Sequence, residues 1–592
     1  MERSYEKDPI VYRSCRDKDM TASIPWSFLK SVAGYRVVFL FLWVCALTLI
    51  VQTNLTHALL TTKYAKTPTI IAEIDDEDYY LALIKERAAH PWRFGSPYFL
   101  EHTQAQYTSP QMGATLEGLF LRWTGTTLKT TSIIFDYATV FLLVLLFSLF
   151  LFRLTGSLLY TALGSVLLFL WPGYSSAWTR PVNPQISMIL PLAYLLVAWP
   201  LVHTQTYRTR IVMGALMGIM VSFYPFHWTF VLPALMIFDA VQLYKNHEDW
   251  RLRGSTYLIF ALVALPSFFY AASTRVLDTD PLVMERNGLL HSRLPTGIVY
   301  QGKNLVLLLF VYTVGKIKRF LGIEKERWMF LLTWLFSVFI VLNQPIITGV
   351  QFELSAHYKS MIFLTWVVSC MWALNMFMPR ILGRRAWWPC AVIVFIAIFS
   401  IQVICEKNAV SPFQKAHIAS NADENMVIDW LREQPHSVLS FPDELAYRID
   451  LETNHKVLFS QLAWLYRLSQ DELEDRFLYH DVENVFLNKK LLVENRFLFG
   501  FLDQARQQKR DAVVARVPWL GRWLPPVSFV VTDEKARAIL RRRKELTALD
   551  LEKGLKKYHV NLVIYRQGEV LYERLPGAPV FTSGAYAIKR IQ

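Results

Sequence analysis

Five carboxylates fall within six consecutive positions of this chain, in the stretch Glu73-Ile-Asp-Asp-Glu-Asp-Tyr-Tyr80. Like charges held this close repel one another, which raises the pKa of some of the carboxyl groups. A carboxyl group with a raised pKa suits a proton acceptor that works near neutral pH. The same residues would also serve as the solvated first turn of a helix, where Asp and Glu are favoured. The choice between these two interpretations depends on where the rest of the chain places the stretch.

The rest of the chain is dominated by long apolar segments. Of its 592 residues 53% are hydrophobic, and it contains 19 Trp, 39 Phe and 27 Tyr, which is typical of a membrane protein with aromatic belts. A spanning helix needs about 20 mostly apolar residues. Eleven segments are candidates: 35–53, 131–152, 155–171, 186–203, 210–224, 228–244, 255–273, 304–321, 328–343, 359–378 and 386–405. A tight re-entry at Tyr224-Pro-Phe-His-Trp228 is expected between the fifth and sixth.

The basic residues predict the orientation of these spans. The net charge is +14, and many of the Lys and Arg residues lie in alternate short loops. This is the pattern that controls membrane topology, and it does not indicate a nucleic-acid partner. With a cytoplasmic N-terminal segment 1–34, the long first loop 54–130 lies outside. Within that loop Pro110–Trp123 has apolar residues at helical spacing, as in a helix that lies along the membrane interface.

The tail after about residue 405 has a different character. An odd number of spans places residues 406–592 outside the cytoplasm. The sequence predicts helices at Asp423–Glu433, Lys535–Glu545 and Leu549–Tyr558, and short buried strands at Ser437–Phe441, Val527–Thr532 and Val560–Tyr565. Strands that alternate with helices predict a small extracytoplasmic α/β domain. A Thr547/Asp550 capping box opens one of the helices. We find no glycine-rich phosphate loop, metal-type Cys/His spacing or disulfide framework in the sequence. The chain therefore divides into 1–34, a membrane domain 35–405 and the tail 406–592.

An acidic stretch at the outer surface could act on a lipid-linked substrate. Transfer of a group from a lipid phosphate needs a carboxylate that accepts the proton of the incoming hydroxyl. It also needs cations or hydrogen-bond donors that stabilise the departing phosphate. The predicted outer segments offer candidates for the second role: His102, Arg180, His227, Arg286, Arg293 and His357. Tyr79 and Tyr80 could stack on a sugar ring. Each residue also has a simpler interpretation, as a helix anchor at the interface or a packed side chain.

The arrangement resembles the GT-C superfamily of integral-membrane glycosyltransferases, which use polyprenyl-phosphate sugars. The resemblance rests on the long outer loop with its acidic pair and Tyr, and on the order of four motifs. These are Asp75-Asp-Glu-Asp-Tyr-Tyr80, Arg180-Pro-Val-Asn-Pro184, Tyr224-Pro-Phe-His-Trp228 and Asn343-Gln-Pro-Ile-Ile-Thr-Gly349. It implies a polytopic α-helical fold of about 11 transmembrane helices with an extracytoplasmic α/β domain, similar to the protein mannosyltransferase and aminoarabinose transferase architecture. The expected location is the bacterial inner membrane.

The resemblance also implies roles for individual residues. A first-loop Asp is the catalytic base of the family, which points to Asp76 with Glu77 in support and Asp75 as the close competitor. Asp78 and Tyr80 would then contact substrate. Asp76-Glu-Asp78 also resembles the Asp-x-Asp that binds a divalent metal in the oligosaccharyltransferase branch. The tail lacks the Trp-Trp-Asp-Tyr-Gly motif of that branch, so we expect a metal-independent enzyme with no required cofactor.

The expected partners are the bilayer, a polyprenyl-phosphate sugar and a glycan, lipid or protein acceptor. Two other functions stay open. The chain could be a transporter or flippase for a lipid-linked sugar, although transporters tend to have charged residues inside their spans and duplicated halves. Within the predicted spans the clear acids are Asp136 and Asp239. It could also be a ligase or polymerase that uses diphosphate-linked glycans.

Overall fold

The structure is a computed structural model that describes part of the chain. The described residues are 32–52, 77–103, 111–171, 178, 180, 182–200, 206–245, 250–273, 289–291, 293, 295–319, 325–352, 355–381, 422–460, 468–484, 488, 511–512, 514–522 and 533–591.

Helices account for most of the chain up to residue 381. They are α1 (Val32–Val51), α2 (Glu77–Ala89), α3 (Met112–Thr124), α4 (Leu128–Thr155), α5 (Leu158–Phe169), α6 (Ile189–Ala198), α7 (Tyr207–Phe223), α8 (Pro225–Lys245), α9 (Trp250–Ser273), α10 (Ile298–Arg319), α11 (Lys325–Thr348) and α12 (Lys359–Ile381). Ten of the predicted spans overlap one of these helices, whereas 386–405 lies outside the described residues. Six helices in the described part (α4 and α8 to α12) are long and apolar enough to cross a membrane. The number of about eleven spans stays a prediction.

The outer surfaces of the long helices are apolar. Large exposed hydrophobic side chains occur on α1, α9 and α10, among them Phe41, Phe269 and Val306. Contiguous apolar surface of this extent is typical of contact with lipid rather than water. Together with the six long apolar helices, this identifies an integral membrane protein.

Close helix packing fixes the region around the predicted re-entry. Helix α7 ends at Phe223 and α8 begins at Pro225, so only Tyr224 connects them. The connection is therefore shorter than the predicted five-residue turn, because Pro225 opens the next helix, where proline has no hydrogen bond to lose. On α7, a Cβ at Gly214 would lie 2.3 Å from the carbonyl oxygen of Thr256. The absence of a side chain lets α7 and α9 pack at backbone contact.

Helices α2 and α3 form a packed pair in the predicted first outer loop. A Cβ at Gly118 of α3 would lie 2.6 Å from the Cβ of Arg87 on α2. The face of α3 that packs inward consists of small and polar residues, from Gly113 to Gly118 with one exception, while Leu116 is 43% exposed. The apolar side predicted for an interfacial helix is thus turned outward at this position. This arrangement is compatible with a helix that lies along the lipid surface.

A short antiparallel ladder connects the segment before α10 to the segment between α11 and α12. Strand β1 (Leu289–His291) pairs with β2 (Val350–Phe352), and Leu290 lies opposite Gln351. A 3-10 turn at Ser355–Tyr358 then leads into α12. The pairing brings together segments that are about sixty residues apart in the sequence. Nothing in the local sequence indicates their register.

The described part of the tail contains a five-stranded mixed sheet with helices. The strands are β3 (Val438–Ser440), β4 (Lys456–Val457), β5 (Val560–Arg566), β6 (Pro579–Thr582) and β7 (Tyr586–Arg590), in the order β4-β3-β5-β7-β6. Strand β3 runs parallel to β4 and β5, whereas β7 is antiparallel to β5 and β6. The helices are α13 (Ala422–Glu433), α14 (Ala446–Glu452), α15 (Gln470–Tyr479), α16 (Asp533–Glu545), α17 (Ala548–Lys557) and α18 (Val570–Glu573).

The local predictions for the tail are confirmed where residues are described. Helices α13, α16 and α17 and strands β3 and β5 lie at the predicted positions. Thr547 and Asp550 form the predicted capping box of α17, each side chain accepting from the other's backbone N–H. The strand predicted at Val527–Thr532 lies outside the described residues. The boundaries of the three predicted domains stay predictions.

Candidate functional site

The acidic stretch leads directly into α2. Asp75 and Asp76 lie outside the described residues, while Glu77 and Asp78 are the first residues of the helix. Nothing is described of the side chains of Glu77 and Asp78. Acidic residues at this position are stabilised by the positive end of the helix dipole. Both interpretations of the stretch, as general base and as helix start, are compatible with this placement.

The two tyrosines that follow are buried and connect the stretch to distant parts of the chain. The Tyr79 hydroxyl accepts a hydrogen bond from the Gln111 side chain at 3.0 Å, which joins α2 to the start of α3. Arg180 donates from Nη2 to the Tyr80 hydroxyl at 3.4 Å. The guanidinium carbon of Arg180 also lies 5.4 Å from the centre of the Tyr80 ring, within cation–π range. Two of the predicted site residues, Tyr80 and Arg180, are therefore brought together although they are 100 positions apart.

The tail supports α2 from the other side. Lys85 donates to the backbone carbonyl of Asp450 at 3.1 Å and also to that of Thr453, at the end of α14. A cation at a helix C-terminus is favourable because the last carbonyl groups have no partner within the helix. Burial lowers the pKa of Lys85 to about 8, against the opposing effect of Asp450. The tail thus contacts α2, the helix that begins in the acidic stretch, within the first three turns of that helix.

A buried polar cluster lies beside the α2–α3 pair. Asp136 of α4 accepts hydrogen bonds from Gln185 at 3.2 Å and from Ser132 at 3.4 Å, and its backbone carbonyl accepts from Gln52 at 3.0 Å. Glu117 of α3 is fully buried, and neither of its carboxyl oxygens has a hydrogen-bond partner among the described residues. Burial, and secondarily the charge of Asp136, raises the pKa of Glu117 well above its ordinary value.

A group of aromatic and histidine side chains surrounds the α7–α8 junction. The Tyr224 hydroxyl and Nδ1 of His357 form a hydrogen bond. The His357 ring stacks on Phe226 with a centroid distance of 4.8 Å. His227 is 1% exposed and packs edge-on against Tyr224 at 5.0 Å. Two predicted substrate-binding residues, His227 and His357, therefore contact one tyrosine, and their packed positions fit the simpler interpretation of His227 as a buried histidine.

The other predicted site residues that the structure describes contact parts of the chain other than Tyr80 and Arg180. His102 lies 2.9 Å from Glu472 of α15 and therefore belongs to the contact between the first loop and the tail. Arg293 is exposed and donates to the carbonyl of Ile346 at 3.3 Å. Arg286 lies outside the described residues. The described residues hold no group of three or more His, Cys, Asp or Glu side chains placed to bind a metal ion, and the predicted metal pair of Asp76 and Asp78 is not among the described side chains.

The sequence alone did not identify several buried polar residues of this region or the side chains that they contact. Glu117 lies in an amphipathic stretch, where an acidic residue is usually solvated. The only local feature that indicates burial of Glu117 is its position four residues after Gly113, on a helix face made of small residues. Gln111 and Gln185 are ordinary polar residues of loops, and only the tertiary contacts place them against Tyr79 and Asp136. Buried polar groups of this kind depend on pairing across the fold.

Comparison with known proteins gives distant structural similarities. No family model matches the chain, and no curated protein matches it. One similar solved structure is ArnT from Cupriavidus metallidurans bound to undecaprenyl phosphate, with 12% identity, coverage of 95% of this chain and 99% of that chain, and a TM-score of 0.45. Another is the archaeal oligosaccharyltransferase AglB from Archaeoglobus fulgidus in complex with an inhibitory peptide and a dolichol-phosphate, with 10% identity, coverage of 92% and 70%, and a TM-score of 0.46. Because these identities and TM-scores are low, the functional proposal is argued from the residues of this chain and not from these similarities.

Proposed function

We propose that this chain is a membrane glycosyltransferase that moves a sugar from a polyprenyl-phosphate donor to an acceptor hydroxyl at the extracytoplasmic surface. The observation that carries the proposal is the contact between Arg180 and Tyr80. It places a cation beside the first turn of α2, immediately after the carboxylates at 73–78. A proton acceptor and a phosphate-binding cation are the two groups that the reaction requires.

The proposed reaction is a single displacement at the anomeric carbon. The acceptor oxygen attacks this carbon while Asp76, supported by Glu77 or replaced by Asp75, takes the hydroxyl proton. The bond between the anomeric carbon and the phosphate oxygen breaks, and its electron pair leaves with the polyprenyl phosphate. Arg180 stabilises the charge of the departing phosphate, because a guanidinium binds phosphate oxygens in a planar, bidentate geometry. Inversion at the anomeric carbon follows from one displacement.

Asp239, one of the two acids within the predicted spans, gives the transporter little support. Asp239 of α8 is buried among cationic and hydroxyl groups: Arg210 at 2.8 and 2.9 Å, Arg253 at 2.8 Å and Tyr257 at 2.9 Å. An acid compensated by two arginines is typical of a fixed network rather than of a site that must exchange its cargo. We therefore place the transporter behind the transferase.

The direct test is the release of free polyprenyl phosphate by the purified full-length protein. Membrane vesicles with polyprenyl-phosphate monosaccharides of several sugars serve as donors, together with an envelope extract as acceptor. We expect Asp76→Asn to lower release by about 10²–10⁴-fold, the range for loss of a general base. Glu73→Gln, in the same acidic stretch, is the matched control and retains activity.

The outcomes separate the alternatives. Full activity of a folded Asp76→Asn protein would remove Asp76 as the base, and loss in Asp75→Asn instead would transfer the role to its neighbour. Movement of the donor between leaflets without release of phosphate would support the transporter. Consumption of a diphosphate-linked donor, with no reaction of the monophosphate, would support the ligase.

A further inference from the structure

Three segments converge on the buried cluster around Glu117. The first turns of α3 pack against the loop before α6, where a Cβ at Gly113 would lie 2.8 Å from Cγ1 of Val182. Gln185 of this loop donates to Asp136 of α4 at 3.2 Å. Glu117 lies one helical turn after Gly113 and so shares its face of α3. The two carboxyl groups are therefore enclosed between α3, α4 and the 182–188 loop.

Several oxygen acceptors of the cluster have no donor among the described residues. Both carboxyl oxygens of Glu117 and Oε1 of Gln185 are buried without a hydrogen-bond partner in the described part of the chain, and both side chains have 0% exposure. The amide nitrogen of Gln185 is already used by Asp136 and by the carbonyl of Trp178. Further buried oxygens without such partners occur on Gln111 and Asn183 of the same segments. A buried acceptor without a donor is costly, and a buried carboxylate is more so.

We propose that Glu117, Asp136 and Gln185 bind a divalent cation of the calcium class. Two carboxylates balance a charge of +2, and carboxylate and amide oxygens are the ligands that Ca²⁺ prefers in its flexible coordination sphere. The absence of His and Cys from these three ligands disfavours zinc and copper. The cation satisfies several oxygens at once, whereas a proton on Glu117 satisfies only one.

Cation binding at this position also affects the structure around it. It bridges α3 to α4, and Gln111 at the start of α3 donates to Tyr79 of α2. Binding therefore stiffens the support of the acidic stretch without contact with a transferred sugar. The proposal does not depend on the proposed function, because the binding can be measured on a protein that transfers nothing.

The test uses the full-length protein in detergent, freed of metal with a chelator. Binding of radioactive Ca²⁺ is measured at equilibrium, and the midpoint of thermal unfolding is followed as Ca²⁺, Mg²⁺ or Na⁺ is added. We expect one Ca²⁺ per chain and a rise of the midpoint with Ca²⁺. Glu117→Gln should weaken binding by at least about a hundredfold, because loss of groups that only support a ligand already costs roughly 10–100-fold. Glu545→Gln, an exposed carboxylate of α16, is the matched control.

Two results would overturn the proposal. The first is wild-type protein that binds no more Ca²⁺ than the Glu117→Gln variant and shows no cation-dependent midpoint. The second is a Glu117→Gln protein that is at least as stable as wild type at every cation concentration, which would identify Glu117 as a buried, protonated carboxyl group. The pH dependence adds an independent readout: Ca²⁺ affinity should increase with pH, since the ligand must first lose its proton.

Discussion

At the scale of single residues, the candidate site is defined by pairs that the sequence separates widely. Arg180 meets Tyr80 across 100 positions, and Gln111 meets Tyr79 across 32. The residue types led us to propose the chemistry, because a crowded acidic stretch and a loop arginine suit proton transfer and phosphate binding. Their partners could not be predicted, since a side-chain hydrogen bond between distant segments leaves no trace in local sequence. The burial of Glu117 was missed for the same reason.

The role proposed for Arg180 predicts a defect in phosphate binding. Arg180→Ala should weaken binding of polyprenyl phosphate by roughly 10- to 150-fold, equivalent to about 1.5–3 kcal/mol for a hydrogen bond to a charged group. Arg180→Lys should recover part of this loss because the charge remains while the planar geometry does not. Quenching of tryptophan fluorescence by a spin-labelled polyprenyl phosphate measures the affinity. Arg122→Ala, an exposed arginine of α3 outside the segment that carries Arg180, should bind as wild type. Equal affinity of Arg180→Ala and wild type would exclude Arg180 as a phosphate ligand.

At the scale of elements, apolar length predicted the helices and missed what joins them. Segments such as 131–152 and 359–378 correspond to α4 and α12, because about 20 apolar residues have few alternatives to a helix in a membrane. The β1–β2 ladder was not predicted, since three-residue strands carry too little periodicity to be recognised. Nor was the docking of α2 on α14, to which Lys85 contributes hydrogen bonds with two backbone carbonyl groups.

The burial of Lys85 between α2 and α14 predicts a particular pH dependence of stability. Its pKa is lowered from 10.5 to about 8 by burial, so the unfolded chain holds a proton that the folded chain has lost between these two values. The free energy of unfolding should therefore rise as the pH increases from about 8 to 10.5. Lys85→Met should abolish this rise, whereas Lys553→Met, an exposed lysine of α17, should retain it. Denaturation by urea or heat at a series of pH values measures the effect. The assignment would be contradicted if the free energy of unfolding of the wild-type protein fell across this pH range in parallel with that of Lys85→Met.

At the scale of the whole molecule, the tail and the predicted first outer loop share one hydrophobic core. Leu81 and Phe99 of the loop belong to the same buried cluster as Phe459 and Leu473 of the tail. Polar contacts border this core, among them the 2.9 Å pair of Lys456 and Glu86. The alternation of strands and helices in the sequence of the tail led us to predict an α/β domain, but it did not predict that the tail would pack on the helix that follows the acidic stretch. We infer that the tail helps to position the proposed catalytic stretch.

The pair between β4 and α2 allows this coupling to be tested. Lys456→Glu places two carboxylates together, and removal of a partner from a buried charged group costs about 1–3 kcal/mol. Hydrogen exchange of residues 77–103 should increase accordingly, and release of polyprenyl phosphate should fall. Adding Glu86→Lys should restore part of both, although Lys456 also donates to the carbonyl of Pro97. Unchanged exchange in the single variant would show that the tail does not hold α2, and a lack of rescue in the double variant would assign the effect to the Pro97 contact.

The most direct measurement for the central claim is a cryo-electron microscopy structure of the full-length protein in lipid nanodiscs with added polyprenyl phosphate. The account predicts a phosphate density in contact with the guanidinium of Arg180, with the lipid tail leaving along the apolar surface and the carboxylates of residues 75–78 facing the phosphate. A phosphate bound elsewhere, or residues 73–80 on the membrane face opposite to the lipid phosphate, would contradict it.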